Sequence, residues 1–140
     1  MGRGIVVRVL LDTTILIDIL RGETRAIAKI DELRSDSALY TTTLNIYEVL
    51  RGIKTLQKDK EKHLNALNIL ISNINIIDFG LSAAERASEI YSELRKKGAI
   101  IDSIDYLIAG TCISNGIYVI ITRNDKHFEN IKELKEVITY

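Results

Sequence analysis

Short apolar runs alternate with longer amphipathic stretches along the chain, and this alternation constrains the fold more than any other feature of the sequence. The first run, residues 5–11, is continuously apolar apart from Arg8, as expected for a strand buried on both faces. Further strands are predicted at residues 37–41, 74–78, 117–121 and 137–140. Strands separated by one or two helices imply right-handed crossovers and parallel pairing. The sequence therefore predicts an α/β fold, a three-layer sandwich with a central parallel sheet.

The amphipathic stretches between these runs predict the helices. In residues 58–73, for example, the apolar side chains recur at helical spacing and share one face. Thr42 or Thr43 can cap the helix that carries Glu48, and residues 82–85 (SAAE) match a capping box that would open a later helix. The remaining helices are predicted at residues 13–20, 23–34 and 102–115.

Size and composition indicate one ordinary globular domain spanning residues 1–140. Of the 140 residues, 46% are hydrophobic and 27% are charged, which is typical of a soluble protein with a sizeable core. The single cysteine, Cys112, excludes an internal disulfide and fits the reducing cytoplasm. No apolar run reaches 18 residues, so no membrane span and no export are expected. The net charge of zero means that any contact with nucleic acid must be local.

Four carboxylates lie in apolar settings and are the candidate catalytic residues: Asp12, Glu48, Asp105 and Asp125. Asp12 and Asp125 follow predicted strands, and in parallel sheets functional sites gather beyond the carboxyl ends of the strands. Burying a carboxylate costs several kcal/mol unless a cation or a donor network compensates it. Several carboxylates that converge demand a cation, and hard oxygen ligands favour Mg²⁺ or Mn²⁺. The pattern therefore predicts a metal-dependent enzyme.

Two of these carboxylates also have a purely structural interpretation that the sequence leaves open. Asp12 is a good N-cap for the helix that follows it. Glu48 can form an ion pair with Arg51 or Lys54, which follow it on the same helix.

The acids near the end of the chain leave further alternatives. Asp102 and Asp105 lie three residues apart, an arrangement close to a capping box, with Asp102 as the favoured cap and Asp105 as the favoured ligand. Asp125 can simply end a turn, and Asn124 competes with it as an oxygen ligand.

Other kinds of catalytic site find little support in the sequence. His63 and His127 lack a Cys or His partner at zinc-ligand spacing. No glycine-rich phosphate loop and no GxSxG motif occurs. A phosphoacceptor receiver domain would need paired acids after its first strand, whereas here only Asp12 follows it.

Together, four segments of the chain resemble the motifs of PIN domains. Residues 11–18 (LDTTILID) and 48–52 (EVLRG) resemble the first two motifs, and residues 105–110 (DYLIAG) resemble the third. Residues 121–124 (ITRN), followed by His127 and Phe128, resemble the closing motif of VapC-type toxins within that family. The resemblance spans nearly the whole chain, with motifs in the same order and at similar spacing.

The resemblance implies a Mg²⁺-dependent endoribonuclease that is neutralised by a VapB-type antitoxin and is often a homodimer. Asp12 and Asp105 match the main metal ligands of the family, and Glu48 matches its second acidic position. The fourth position departs from the family pattern. Many relatives have an acid at the place of Asn124 or His127, whereas here the acid is Asp125, and Asp102 can contribute instead.

Two alternatives within this interpretation stay open. The chain can be a PIN-like scaffold that binds RNA or a partner without cutting it, or a housekeeping nuclease in place of a toxin. Candidate phosphate contacts are Arg51, Arg123 and Lys126, although each also fits a solvated surface charge.

Overall fold

The computed structural model describes residues 6–140, which form a parallel sheet of five strands with seven helices around it. The strands are β1 (Val7–Leu11), β2 (Ser37–Thr42), β3 (Asn75–Ile77), β4 (Val119–Ile121) and β5 (Glu136–Ile138). The helices are α1 (Thr13–Leu20), α2 (Thr24–Arg34), α3 (Thr43–Lys54), α4 (Lys60–Ile71), α5 (Leu81–Lys96), α6 (Ser103–Ser114) and α7 (Asp125–Phe128). The predicted α/β class is confirmed.

The strand order places β1 at the centre of the sheet. The order is β3-β2-β1-β4-β5, and every neighbouring pair is parallel. From β1 the chain first builds outwards through β2 and β3, and later returns to the other side of β1 with β4. The strand order therefore reverses beside β1, and the carboxyl end of β1 lies at a topological switch point, where open α/β sheets place their ligand sites.

The hydrophobic core is divided by the sheet into two layers. Leu11 and Ile121 belong to one layer, which also contains Ile15 of α1 and Val49 of α3. The other layer contains Leu10 and Ile120 together with the buried faces of α5 and α6. Successive strand residues point to opposite faces, so one continuous apolar run supplies both layers. This is the predicted three-layer sandwich.

Helices α5 and α6 pack unusually closely at Gly110. A Cβ atom built on Gly110 would lie 2.6 Å from the carbonyl oxygen of Ala83 and 2.7 Å from the backbone nitrogen of Ala87. Only a residue without a side chain fits this position. The contact sets how closely α6 packs against α5, and α6 carries Asp105 near its N-terminal end.

Local details differ from the sequence predictions at several places. The predicted capping box at residues 82–85 is wrong, because α5 begins at Leu81 with Gly80 as its N-cap and without a side-chain cap bond. β5 begins at Glu136, one residue before the predicted strand, and ends at Ile138, whereas the predicted strand continued to the last residue. α7 was not predicted. Residue 5, the first of the predicted N-terminal strand, lies outside the described residues.

Thr42 is the cap of α3, as one of the two predicted alternatives had it. Its hydroxyl accepts a hydrogen bond of 3.1 Å from the backbone nitrogen of Asn45, and the Asn45 side chain accepts one from the backbone nitrogen of Thr42. Across residues 6–140, the helices are all too short or too polar to cross a lipid bilayer.

Candidate active site at the carboxyl edge of the sheet

Asp12 lies directly after the central strand and is held by two side-chain donors. It is 3% exposed. Asn45 donates to its Oδ1 at 3.0 Å, and the hydroxyl of Thr122 donates to its Oδ2 at 2.7 Å. Asp12 occupies the N-cap position of α1 but makes no side-chain cap bond. The capping alternative for this carboxylate is therefore wrong, and its two oxygens are oriented by residues of other elements.

Asn45 is positioned by the start of α3 and links two residues of the first motif. It is fully buried, and the Thr42 hydroxyl donates to its Oδ1 at 2.6 Å. Its Nδ2 group, which carries two hydrogens, donates both to Asp12 and to Oγ1 of Thr13, each at 3.0 Å. Asn45 therefore takes part in the cap of α3 and also fixes the orientation of the Asp12 carboxylate at the start of α1.

Glu48 reaches the same region from α3. The Thr13 hydroxyl donates a hydrogen bond of 2.5 Å to its Oε1, and the carboxylate is half-buried. No ion pair joins Glu48 to Arg51 or Lys54 within residues 6–140, so the proposed structural pairing is not present. Arg51 instead lies over the ring of Tyr47, with its guanidinium carbon 5.4 Å from the ring centre.

Three further side chains, those of Asp102, Asp105 and His127, lie close together at the start of α6. Asp102 occupies the N-cap position of α6 but makes no cap bond, so the prediction that its side chain caps this helix is wrong. Asp102, Asp105 and His127 each offer a ligand atom, and these atoms lie within 4.8 Å of one another. Nδ1 of His127 is 2.6 Å from Oδ2 of Asp105, which is 7% exposed. These side chains form a potential metal-binding group.

The acidic side chains act on one another electrostatically. The pKa of Asp105 is raised from 3.8 to about 6, chiefly by burial, while the hydrogen bond to His127 opposes the rise and the charges of Asp12 and Glu48 add to it. Burial likewise raises the pKa of Asp12, the Thr122 hydrogen bond opposes that rise, and the charge of Glu48 adds to it. Asp12, Glu48 and Asp105 are therefore close enough in space to repel one another.

Asp125, the fourth candidate, is not joined to this group. It opens α7 and is partly exposed. Within residues 6–140, no side-chain hydrogen bond or ion pair connects it to the other three carboxylates. Asn124, its competitor, is exposed and donates its backbone N–H to the Thr122 hydroxyl at 2.9 Å. The catalytic role of Asp125 stays a prediction.

A second polar network anchors the segment that carries Thr122. Asp18 of α1 is 6% exposed and accepts two bonds from Arg123, one from Nε at 2.7 Å and one from Nη2 at 3.2 Å. The hydroxyl of Tyr140 donates to the same carboxylate at 2.6 Å. Burial raises the pKa of Tyr140 to about 12. The guanidinium of Arg123, a candidate phosphate contact, is thus engaged by Asp18.

Sequence reasoning missed three residues that contact the predicted acids: Asn45, Thr122 and His127. A weak signal was present for the first two. Each is a polar residue in or beside an apolar run, and such a residue needs a partner when it is buried. For His127 the signal was its place in the closing motif, but its contact with Asp105, 22 residues earlier in the chain, could not be predicted from local sequence.

The donor set suits a divalent cation. Carboxylate oxygens of Asp12, Glu48, Asp105 and Asp102 are hard ligands of the kind that Mg²⁺ and Mn²⁺ accept. Within residues 6–140, no Lys or Arg forms an ion pair with any of the four. Two of them are nearly fully buried, so an added positive charge would relieve their repulsion.

Comparison with known proteins agrees with this fold and with the sequence motifs. The family model described as PIN domain matches residues 9–134. Ribonuclease VapC1 of Methanocaldococcus jannaschii is 32% identical over 90% of this chain and 82% of its own length. The tRNA(fMet)-specific endonuclease VapC of Shigella flexneri is 25% identical over 90% of this chain and 93% of its own length.

A solved structure supports the same assignment. The crystal structure of VapBC2 from Rickettsia felis, bound to a DNA fragment from its promoter, contains a chain that superposes with a TM-score of 0.85 at 25% identity. The match covers 95% of this chain and 98% of that one. An α/β sheet with an acidic group at its switch point, together with these matches, defines a PIN domain. The chain belongs to the PIN-domain family, among the VapC ribonucleases.

Proposed function

We propose that this chain is a divalent-metal-dependent endoribonuclease that cleaves RNA phosphodiester bonds as the toxin of a toxin–antitoxin pair. The observation that carries the proposal is that two nearly buried carboxylates, Asp12 at 3% and Asp105 at 7% exposure, lie near enough to each other and to Glu48 for the charges of Asp12 and Glu48 to add to the raised pKa of Asp105. In the described part of the chain these acids have no Lys or Arg ion-pair partner. Such a group is costly to bury unless it binds a cation.

The roles proposed for Asp12, Glu48 and Asp105 follow from the positions of their side chains, whereas the role proposed for Asp125 rests on the sequence alone. Asp12 and Asp105 would hold the cation, Mg²⁺ or Mn²⁺, and Glu48 and Asp125 would complete the shell or orient a water molecule. A bound divalent cation would stabilise charge on the phosphoryl oxygens and lower the pKa of a bound water. Thr122 and Asn45 keep the two oxygens of Asp12 in one orientation, as donors around metal ligands commonly do.

Thr13 supports Glu48 in the same way. Its hydroxyl donates to Glu48 and accepts from Asn45, so the side chains after β1 and at the start of α3 form one chain of hydrogen bonds. We infer that this connection sets the distance between Glu48 and Asp12, and that a glutamate held in this way orients a water molecule more reproducibly than a mobile one.

RNA would be held by local cations, because the chain has no net charge. Arg51 is three residues after Glu48 and so lies on the same side of α3. It is exposed, and so is Lys126 at the start of α7. We propose Arg51 and Lys126 as phosphate contacts in preference to Arg123, because the guanidinium of Arg123 is already hydrogen-bonded to Asp18.

A VapB-type antitoxin is the proposed protein partner, and a homodimer is the proposed assembly. The support is the similarity to VapC toxins and to the VapBC2 complex of Rickettsia felis. Cleavage of cellular RNA would place the activity in the cytoplasm, as expected from the sequence.

The test is cleavage of end-labelled total tRNA, rRNA and purified tRNA(fMet) by protein that is free of antitoxin. Each reaction is run with Mg²⁺, with Mn²⁺ and with EDTA, for the wild type and for Asp105→Asn. Discrete fragments from wild type with metal alone would support the nuclease. Intact RNA in every lane, from folded protein that shifts RNA in a gel, would favour the non-catalytic scaffold.

A further inference from the structure

His127 brings a nitrogen donor to an otherwise oxygen-rich site. Its Nδ1 lies 2.6 Å from the carboxylate of Asp105, and Asp102 offers a third ligand atom within 4.8 Å of both. Asp102 is exposed, and its side chain makes no cap bond at the start of α6. The side chains of α6 and α7 therefore converge on one point from two directions.

The backbone holds His127 in this place. α7 spans only Asp125–Phe128, and the ring of Phe128 is fully buried in the core. His127 donates its backbone N–H to the carbonyl oxygen of Asn124 at 3.0 Å. A short helix that is anchored by its next residue leaves the imidazole little freedom to move away from Asp105.

A nitrogen ligand changes which cation the site prefers. Mg²⁺ is a hard ion that binds oxygen almost exclusively, whereas imidazole suits first-row transition ions, and Mn²⁺ is the member of that series that also suits the carboxylates of this site. A site built from carboxylates alone discriminates little between these two ions. A site in which one ligand is an imidazole would favour the transition ion.

We propose that His127 joins Asp102 and Asp105 as a ligand of the divalent cation and gives this site a preference for Mn²⁺ over Mg²⁺. The inference rests on the proposed function and deepens it by naming a ligand that the four predicted acids do not include. In the metal-free protein His127 Nδ1 and Asp105 Oδ2 share a proton at 2.6 Å, and this proton would be released to solvent as the cation binds. Octahedral bonds near 2.1 Å separate neighbouring ligand atoms by roughly 3 Å, so the imidazole and Asp105 need to part by only a few tenths of an ångström.

The test uses the metal-loaded protein and a readout that is independent of cleavage. Pulsed electron paramagnetic resonance of the Mn²⁺ complex detects hyperfine coupling to a directly bound nitrogen. The chain has two histidines. His63, on α4, lines a separate cavity of about 190 Å³ between α1, α3 and α4, so His63→Gln is the matched control. Coupling is expected in wild type and in His63→Gln, and its loss is expected in His127→Gln.

Calorimetry gives a second readout. In His127→Asp the nitrogen is replaced by oxygen, so Mn²⁺ affinity is expected to fall relative to Mg²⁺ affinity. Mn²⁺ binding without nitrogen coupling, or coupling that persists in His127→Gln, would overturn the proposal while leaving the nuclease intact. Failure of wild type to bind either ion would overturn the metal site and the proposed function together.

Discussion

The hydroxyl of Thr122 donates a hydrogen bond of 2.7 Å to Oδ2 of Asp12, across 110 residues of sequence. The register of the sheet produces this contact. Leu11 and Ile121 are directly paired in β1 and β4, so the residues that follow each strand lie side by side. The sheet itself therefore orients the carboxylate that we assign to the metal.

We expect Thr122→Val to lower the free energy of unfolding by about 1–3 kcal/mol, because a buried carboxylate loses a donor. The valine also cannot accept the backbone N–H of Asn124. Urea denaturation at neutral pH in EDTA measures the change. Thr122→Ser keeps the hydroxyl and should lose much less. A valine variant as stable as wild type would contradict the role given to this bond.

Asp12→Asn should abolish RNA cleavage while the fold persists. The amide keeps the shape of the carboxylate but removes the charge that would hold the cation. Circular dichroism and cleavage of labelled RNA in Mg²⁺ together separate folding from activity. A variant that cuts RNA at the wild-type rate would remove Asp12 from the site.

The stability of the metal-free protein should fall as pH rises from about 4 to about 6. Burial raises the pKa of Asp105 from 3.8 to about 6, so its carboxyl binds a proton more tightly in the folded state than in the unfolded chain. This contribution to stability is complete below pH 3.8 and is lost as pH passes through about 6. Thermal melts in EDTA across this range measure it. The melting temperature of Asp105→Asn should depend less steeply on pH. Identical pH profiles for the variant and the wild type would contradict the raised pKa of Asp105.

Mg²⁺ or Mn²⁺ should raise the melting temperature of the wild type, because binding to the folded state alone stabilises it. At a free concentration of about 100 times Kd the gain is roughly 2.7 kcal/mol. Removal of the ion with EDTA should reverse the shift. The same titration on Asp105→Asn should give a much smaller shift. No change in melting temperature at millimolar metal would count against a cation site.

Gly110→Ala should destabilise the protein, and Gly52→Ala should not. The new methyl group at position 110 would lie 2.6 Å from the carbonyl oxygen of Ala83, and overpacking of this kind costs about 1–3 kcal/mol. Position 52, inside α3, has no atom within 4 Å of a new Cβ, so alanine there should stabilise the helix by up to about 1 kcal/mol. Urea unfolding of the pair compares the two. Equal stability would contradict the close contact between α5 and α6.

Much of the fold was predictable because it depends on local periodicity. Continuous apolar runs marked β1 and β4, and their separation by helices implied the parallel order. The same logic located Asp12 beyond the carboxyl end of the first strand, but the central position of that strand was not predicted. The failures were also local: residues 82–85 match a capping box, yet Gly80 is the N-cap and α5 begins at Leu81, two residues earlier than such a box requires.

The details of the site were less predictable because they depend on contacts between distant elements. Asn45 lies 33 residues from Asp12, and the sequence does not say that its amide points there. A zinc-binding role for His127 was set aside because no Cys or His lies at zinc-ligand spacing from it. In the structure its neighbours are Asp102 and Asp105. Whether a polar side chain faces solvent or a carboxylate is decided by strand register and helix packing.

The central position of β1 has a consequence for the timing of synthesis. Asp12 and Asn45 leave the ribosome early, but β4, Thr122 and His127 are among the last residues made. At about 5–20 residues per second, the 110 residues between Asp12 and Thr122 take roughly 5–20 s to translate. Until Thr122 has been made, Asp12 lacks one of its two side-chain hydrogen-bond donors, so the arrangement of the acidic group is completed only when translation is nearly finished.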